Sequence, residues 1–232
     1  MKTILITRPL GQAKSLSEKL TQLNFKPIIF PAIEIQAINF DANINLNKFN
    51  IIIFISPAAI THFSDKIKIL PKNLSVFTIG ETSAKMIEQL HWPKAVYPKS
   101  HFSRENLLAL PELQHVFGQS ILIIDGKTAN DDLKVMLESR GALVSRLAVY
   151  ERALPQPKKL PRLDAIDIII STSQGSLRNL VTLLGPTLKT KQLLVSSQKL
   201  VDLAATLGFT EKPLLAQNAG DDAIIQALPI SA

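Results

Sequence analysis

Hydroxyl side chains recur where apolar, strand-like runs end and the chain turns into a helix. Each could simply cap its helix, because Ser and Thr accept hydrogen bonds from the free N–H groups at a helix start. Several helix N-termini at one sheet edge would also bind several anionic groups. The pattern therefore favours a ligand with many carboxylates. The hydroxyl residues concerned are Thr7, Ser56, Ser83, Thr172, Ser173, Ser196 and Ser197.

Tyr150 is the second candidate for chemistry, and it is one of only two tyrosines in the chain. It ends an apolar run just before charged residues, in the stretch VYER. One interpretation is an amphipathic side chain at a domain edge, with a buried ring and a hydrated hydroxyl. The other is a hydroxyl donor at the mouth of a ligand cleft. The pattern leaves both open.

The established catalytic and metal-binding motifs are missing from the sequence. There is no GxGxxG, no Walker loop, no GxSxG and no metal signature. Cysteine is absent, which excludes disulfides, thiolate nucleophiles and thiolate metal ligands. We interpret the four scattered histidines as unrelated surface or half-buried residues: they are His62, His91, His101 and His115.

The charge balance favours an anionic partner, since the 232-residue chain carries a net charge of +7. Nucleic-acid binding normally needs a basic stripe interleaved with aromatic residues. Here Lys and Arg are spread out and aromatic residues make up only 6%. The densest basic patch, Lys158, Lys159 and Arg162, lies in a proline-rich segment that we interpret as a solvated linker. We rank a small anionic ligand above nucleic acid. We also expect a cytoplasmic protein without a membrane span, because neither a long apolar run nor a signal peptide is present.

The elements that position these residues repeat with an offset of about 117 residues. ILITRP matches ILIIDG, IIIFIS matches IIISTS, and VFTIG matches LLVSS. The repeat predicts an α/β fold with two parallel-sheet domains built from duplicated βα units. Ligands of such sheets bind outside the carboxyl ends of the strands, so we expect the site in a cleft between the domains.

The chain resembles the uroporphyrinogen-III synthase family over nearly its full length. No single segment is specific, but their order, spacing and number are. The matching segments are ITRPLGQA, FPAIEI, FISPAAI, TIGETSAKMI, RGALVSRLAVYER, STSQGSL, SSQKLVDLAATLGF and DDAIIQAL. The resemblance implies a discontinuous domain of residues 1–35 plus 154–232 and an inserted domain of residues 39–147. Linkers 31–38 and 148–153 would form a two-stranded connection, so the first unit of each repeat would be exchanged.

The resemblance also implies the reaction and the site. The family cyclises the linear tetrapyrrole hydroxymethylbilane to uroporphyrinogen III in heme biosynthesis, with loss of water and inversion of the last pyrrole ring through a spiro intermediate. A monomer without metal or organic cofactor is expected. Tyr150 matches the tyrosine proposed to help the hydroxyl leave. The substrate-binding residues would be Arg8, Ser56, Ser83, Gly126, Lys127, Thr172, Ser173 and Ser197.

One stretch departs from the family pattern. The sequence DGKTAND places Asp125 and Asn130 where many members have arginines, although Gly126 is kept and Lys127 could restore a positive charge. Two rival hypotheses therefore stand beside the synthase. One is a catalytically weakened homologue that binds tetrapyrroles or regulates. The other is a two-lobed small-molecule binding module of another class.

Overall fold

The computed structural model of the protein describes residues 1–100 and 102–229, so His101 lies outside the described residues. Within that part of the chain, short strands alternate with helices. The strands are β1 (Thr3–Ile6), β2 (Lys26–Ile29), β3 (Glu34–Ala37), β4 (Ile51–Phe54), β5 (Ser75–Thr78), β6 (Ala95–Val96), β7 (Ser120–Gly126), β8 (Leu143–Ala153), β9 (Ile168–Ser171), β10 (Gln192–Val195) and β11 (Leu214–Leu215). The α-helices are α1 (Leu10–Gln22), α2 (Pro57–Lys66), α3 (Glu81–Gln89), α4 (Arg104–Leu108), α5 (Pro111–Gln114), α6 (Asp132–Ser139), α7 (Gln174–Leu184), α8 (Gln198–Leu207) and α9 (Asp221–Gln226).

The strands form two sheets, one in each of two compact units. The first unit joins Met1–Glu34 to the chain from Ala153 onward, and its sheet has the order β11-β10-β9-β1-β2. All neighbouring strands of this sheet are parallel. The second unit is Ile35–Arg152, and its sheet has the order β3-β8-β7-β4-β5-β6, parallel from β8 to β6. The predicted α/β class with two parallel sheets is confirmed.

The two sheets exchange strands between the sequence repeats. In the first, β1 pairs with β9, with Ile4 opposite Ile168. In the second, β7 pairs with β4, with Ile121 opposite Ile51. Each of these residues stands 117 positions from its counterpart in the other sheet, as do the starts of β2 and β8 and of β5 and β10. The first sheet thus takes two strands from the first repeat and three from the second, and the second sheet takes two from the second repeat and four from the first, of which β3 is the additional edge strand.

Short runs of Ile and Leu make these strands, because a parallel sheet covered by helices on both faces buries both sides of every strand. β1, β4 and β9 are buried at every position. On one face of the second unit, Phe54 and Tyr150 belong to a core cluster that also holds Phe63 of α2. Ile53 belongs to a separate cluster with Ile123 of β7. Alternation along β7 then places Asp125 on the Ile123 face and directs the adjacent position, Gly126, to the Tyr150 face.

The chain passes between the units through neighbouring strands, β3 and β8. β8 runs three residues past Tyr150, to Ala153, and is longer than its apolar run alone indicates. A register shift interrupts the pairing of β7 with β8 between Asp125 and Gly126. None of the helices that the structure describes is both long and apolar enough to cross a membrane.

Candidate functional site

The carboxyl ends of parallel strands meet at one edge of a sheet, and in each unit this edge gathers the predicted site residues. In the second unit Ser56 follows β4, Gly80 follows β5, and Tyr150 lies near the end of β8. The first unit repeats the arrangement, with Ser173 following β9 and Ser197 following β10.

Tyr150 and Ser56 form a hydroxyl pair in the second unit. The phenol Oη lies 3.2 Å from Ser56 Oγ, and the tyrosine is only 5% exposed. Ser56 is also the N-cap of α2, where its Oγ accepts the N–H of Ala59 at 3.1 Å, and Pro57 occupies the first helical position. The cap fixes the serine, and the serine in turn fixes the end of the phenol.

Gly126 makes room for the Tyr150 ring. A Cβ atom at this position would stand 2.8 Å from both Cε2 and Cζ of the ring, closer than atoms pack. The backbone N–H of Lys127 donates to the Tyr150 carbonyl at 2.9 Å, which holds the two strand ends together. The Lys127 ammonium itself is exposed and pairs with Glu151 at 3.0 Å. Gly126 therefore allows the phenol to occupy this position, because it has no side chain that would collide with the ring.

His62 of α2 lies beside Tyr150, which the sequence did not indicate. The two ring centroids are 6.1 Å apart with an angle of 34° between the planes. His62 Nδ1 is buried without a hydrogen-bond partner, and Asp65 Oδ2 is 3.6 Å from it. His62 is half-buried, as predicted, and only its contact with Tyr150 is not predicted by the sequence. The available signal was its spacing, three residues after Ala59 and so on the same helix face as that buried alanine.

Ser83 lies inside α3 and does not begin it. The N-cap of α3 is Gly80, and Ser83 is buried in the first turn. A Cβ atom at Gly80 would come within 3.1 Å of the Phe102 ring, so this turn is close-packed. The expectation that Ser83 starts the helix is wrong, because glycine already supplies the extended backbone that the cap needs.

The DGKTAND segment receives its positive charge from other elements. Arg146 of β8 donates from Nε to Asp125 Oδ2 at 2.8 Å and also bonds Asp131. Arg104 of α4 bonds Asn130. Burial raises the pKa of the Asp125 carboxyl above its ordinary value, although the Arg146 guanidinium opposes the shift. Two guanidinium groups thus converge where the family pattern has arginines in the segment itself.

The edge of the first unit is a network of hydroxyls. Thr7 Oγ1 donates to the Ile170 carbonyl at 2.7 Å and lies 2.8 Å from Ser176 Oγ. Ser173 caps α7, with its Oγ accepting the Ser176 N–H at 3.2 Å. Ser197 is the N-cap residue of α8 but makes no side-chain capping bond. Its hydroxyl therefore has no structural role in the cap.

Two further predicted binding residues are held within the first unit. Arg8 is buried, and its guanidinium donates to Asp221 Oδ1 at 2.6 Å and to the Ala219 carbonyl. The Thr172 carbonyl accepts the Ser196 hydroxyl at 3.4 Å. Arg8 therefore anchors the start of α9 to the end of β1.

Titratable side chains do not converge on a metal site in the described ranges. Across residues 1–100 and 102–229, no group of three or more His, Asp or Glu side chains is placed to hold a metal ion. The contacts of this edge are instead hydroxyls, backbone N–H groups and paired guanidinium groups. Such groups bind carboxylates and hydroxyls.

Comparisons with known proteins agree over almost the whole chain. The model of the family described as Uroporphyrinogen-III synthase HemD matches residues 14–226. The chain is 27% identical to the uroporphyrinogen-III synthase of Escherichia coli (strain K12), over 97% of this chain and 99% of that protein. It is 28% identical to the Salmonella typhimurium enzyme with the same coverage. The solved structure of uroporphyrinogen-III synthetase from Helicobacter pylori has a similar fold, with a TM-score of 0.66 over 97% of each chain at 16% identity.

Proposed function

The chain belongs to the uroporphyrinogen-III synthase family, and we propose that Tyr150 and Ser56 carry the proton chemistry of its reaction. The activity is the cyclisation of hydroxymethylbilane to uroporphyrinogen III, a lyase step of porphyrin and heme biosynthesis in which water is lost. The observation that carries the proposal is the 3.2 Å contact between the two hydroxyls.

The hydroxyl that leaves hydroxymethylbilane is a poor leaving group until it receives a proton or a strong hydrogen bond. Ser56 Oγ accepts the Ala59 N–H and can donate its own proton to Tyr150 Oη. This orientation leaves the phenol proton for the departing hydroxyl. It also places a donor on the phenol oxygen as negative charge develops there, in a buried setting where such donors act strongly.

The carboxylates of the substrate are proposed to bind at helix N-termini. The first turns of α2, α3, α7 and α8 present backbone N–H groups at the carboxyl edges of the sheets. Ser197 adds a hydroxyl that its own helix cap leaves unused, and Thr172 and Ser173 follow β9 at the same sheet edge. In the second unit, Ser83 lies in the first turn of α3. Lys127 adds an exposed ammonium group. The net charge of +7 supports attraction of a polycarboxylate.

Not every predicted binding residue is proposed to touch the substrate. Gly126 accommodates the Tyr150 ring, and Arg8 holds the start of α9 through Asp221. Both act on the position of other groups. Part of each role is therefore structural.

The proposal includes a single chain that works alone in the cytoplasm, without nucleic acid or membrane. For the monomer, the support is that each described sheet is built from strands of the same chain, so the fold needs no strand from a second copy. Sedimentation velocity over a range of protein concentrations tests the monomer. A mass that rises with concentration would contradict it.

The test of the function is direct incubation with freshly made hydroxymethylbilane. After oxidation, the uroporphyrin I and III isomers are separated, and their amounts are compared with those in a blank without protein. We expect the III isomer to dominate. If only the I isomer forms, at the spontaneous rate of the blank, the synthase assignment fails. Saturable binding of hydroxymethylbilane in that case would favour the weakened homologue.

A further inference from the structure

Because the two repeats match with an offset of 117 residues, each residue near Tyr150 can be compared with its counterpart in the first unit. The residue 117 positions after His62 is Asn179, which occupies the same place in α7 as His62 does in α2. Asn179 Nδ2 donates to the Ala32 carbonyl at 2.8 Å, on the strand side of its helix. The role of this position in the first unit is therefore structural, since it ties the helix to the chain that follows β2.

His62 does not make the equivalent bond. Its Nδ1 is buried without a hydrogen-bond partner. A buried polar atom without a hydrogen-bond partner is destabilising, so proteins rarely keep one where another side chain would be satisfied. Asparagine serves at the matching position, in the same fold. Histidine at position 62 thus calls for another explanation.

The neighbour of the imidazole supplies that explanation. The His62 ring packs against the Tyr150 ring at 6.1 Å between centroids, within the usual range of aromatic pairs. The same helix presents Ser56 to the end of the phenol. α2 therefore contacts Tyr150 twice, with a hydroxyl at the oxygen and an imidazole at the ring. The residue that matches Tyr150 in the other unit is Ile33, which has no hydroxyl group.

We propose that His62 is a positioning residue for Tyr150, whose imidazole packs on the phenol ring and holds it against Ser56. Asp65 Oδ2 stands 3.6 Å from His62 Nδ1 and is exposed, so this contact holds the imidazole only weakly. This inference rests on the proposed function of Tyr150.

Two substitutions separate the parts of this role. His62→Phe keeps an aromatic ring beside Tyr150. His62→Asn installs the residue found at the matching position and removes the ring. We expect His62→Asn to lower kcat about three- to tenfold with KM nearly unchanged, because a group that positions the proton donor affects the reacting state more than binding. His62→Phe should keep most of kcat, because a ring still packs on the phenol. His115→Asn, the same change at an exposed histidine after α5, should leave kcat unaltered.

A second readout does not depend on turnover. With only Tyr97 and Tyr150 present, ring-labelled tyrosine gives two sets of NMR signals, and Tyr150→Phe identifies which belongs to Tyr150. The Tyr150 signal should move in His62→Asn, which removes the neighbouring ring, and should stay nearer its wild-type position in His62→Phe. A Tyr150 signal unchanged in His62→Asn, or a His62→Asn variant with normal kcat but a lower Tm, would overturn the inference. If the wild type forms no III isomer, the proposed function fails, and the NMR comparison still decides whether His62 acts on Tyr150.

Discussion

The sheet edge around Tyr150 in the second unit and the matching edge around Ile33 in the first unit have the same backbone arrangement. Their side chains differ in chemistry. Ser56 and Ser173 stand 117 residues apart, and each caps a helix at the end of a central strand. Above Ser56 lies a phenol oxygen at 3.2 Å, whereas the counterpart of Tyr150 in the first unit is Ile33, an apolar side chain. The repeat therefore has the same helix cap at two sheet edges, and only the edge of the second unit adds a phenol hydroxyl to it.

The acidic and basic residues of the ion pairs stand at opposite positions in the two units. In the first unit Arg8, at the end of β1, binds Asp221 at the start of α9. The matching positions in the second unit are Asp125 and Arg104, so acid and base have changed places. Arg146 takes the direct contact with Asp125, at 2.5 Å. The DGKTAND departure is thus part of a rearranged ion-pair network, in which arginines from β8 and α4 face the segment.

The largest effect is expected from Gly126→Ala, because it displaces the Tyr150 phenol, the group that distinguishes the edge of the second unit from that of the first. The added methyl would stand 2.8 Å from ring carbons of Tyr150, so the ring must move. A misplacement of about 1 Å at a reacting group can cost roughly a hundredfold in rate. Overpacking should also lower the free energy of unfolding by about 1–3 kcal/mol. Steady-state kinetics and urea unfolding measure the two effects.

Gly11→Ala is the matched control for this change, because among the described residues no atom outside its chain neighbours and its own helix backbone lies within 4 Å of a Cβ atom there. It should leave kcat unaltered. Normal activity of Gly126→Ala would show that the position of the phenol in the structure is not the one that the reaction uses.

A moderate effect is expected from Ser56→Ala, with Ser173→Ala as its partner in the comparison. Each change removes a helix cap, worth about 0.5–2 kcal/mol of stability. Only Ser56 also contacts Tyr150. Both variants should lose a similar amount of Tm, while kcat falls further in Ser56→Ala, by about 1 kcal/mol of activation free energy for the lost hydrogen bond. Equal kcat in the two variants would remove the serine from the proton chemistry.

The buried Asp125 carboxyl predicts that the free energy of unfolding depends on pH. The folded-state pKa of Asp125 is raised above the ordinary value of 3.8, so the folded protein binds more protons than the unfolded chain over that window. As pH rises from about 3.8 through the folded-state pKa, this carboxyl lowers the free energy of unfolding. Chemical unfolding at several pH values should show the wild type losing stability relative to Asp125→Asn over this range. A constant difference between the two proteins would contradict the raised pKa.

The smallest effect is expected from salt. Carboxylates held by surface cations and helix N-termini are partly screened as ionic strength rises, because the Debye length falls from about 10 Å at 0.1 M to about 3 Å at 1 M. KM should therefore rise about two- to fivefold across that range, with kcat nearly constant. A KM insensitive to salt would argue that apolar contacts, not charge, hold the substrate.

The sequence repeat predicted the fold class and most strand positions, since short Ile-rich runs with a fixed offset have few other solutions. The pairing of β1 with β9 is a long-range choice that periodicity cannot reveal, and only the family resemblance implied an exchange. Residue type and position single out Tyr150 and Ser56 one by one, and only the family resemblance implies their roles. Their contact depends on the register of β8 against β7, and the place of His62 depends on the rotation of α2. Neither can be read from spacing alone.

The central claim is that the Tyr150 hydroxyl acts in the reaction, and one comparison of two tyrosines tests it most directly. Tyr150→Phe removes the hydroxyl from the site, and Tyr97→Phe makes the same change at the other tyrosine, after β6. With hydroxymethylbilane as substrate, kcat/KM for the III isomer should fall roughly ten- to a hundredfold in Tyr150→Phe, about 1.4–2.7 kcal/mol, with Tm unchanged. Tyr97→Phe should match the wild type. A Tyr150→Phe enzyme with wild-type kcat/KM would contradict the account and leave Tyr150 a packing role.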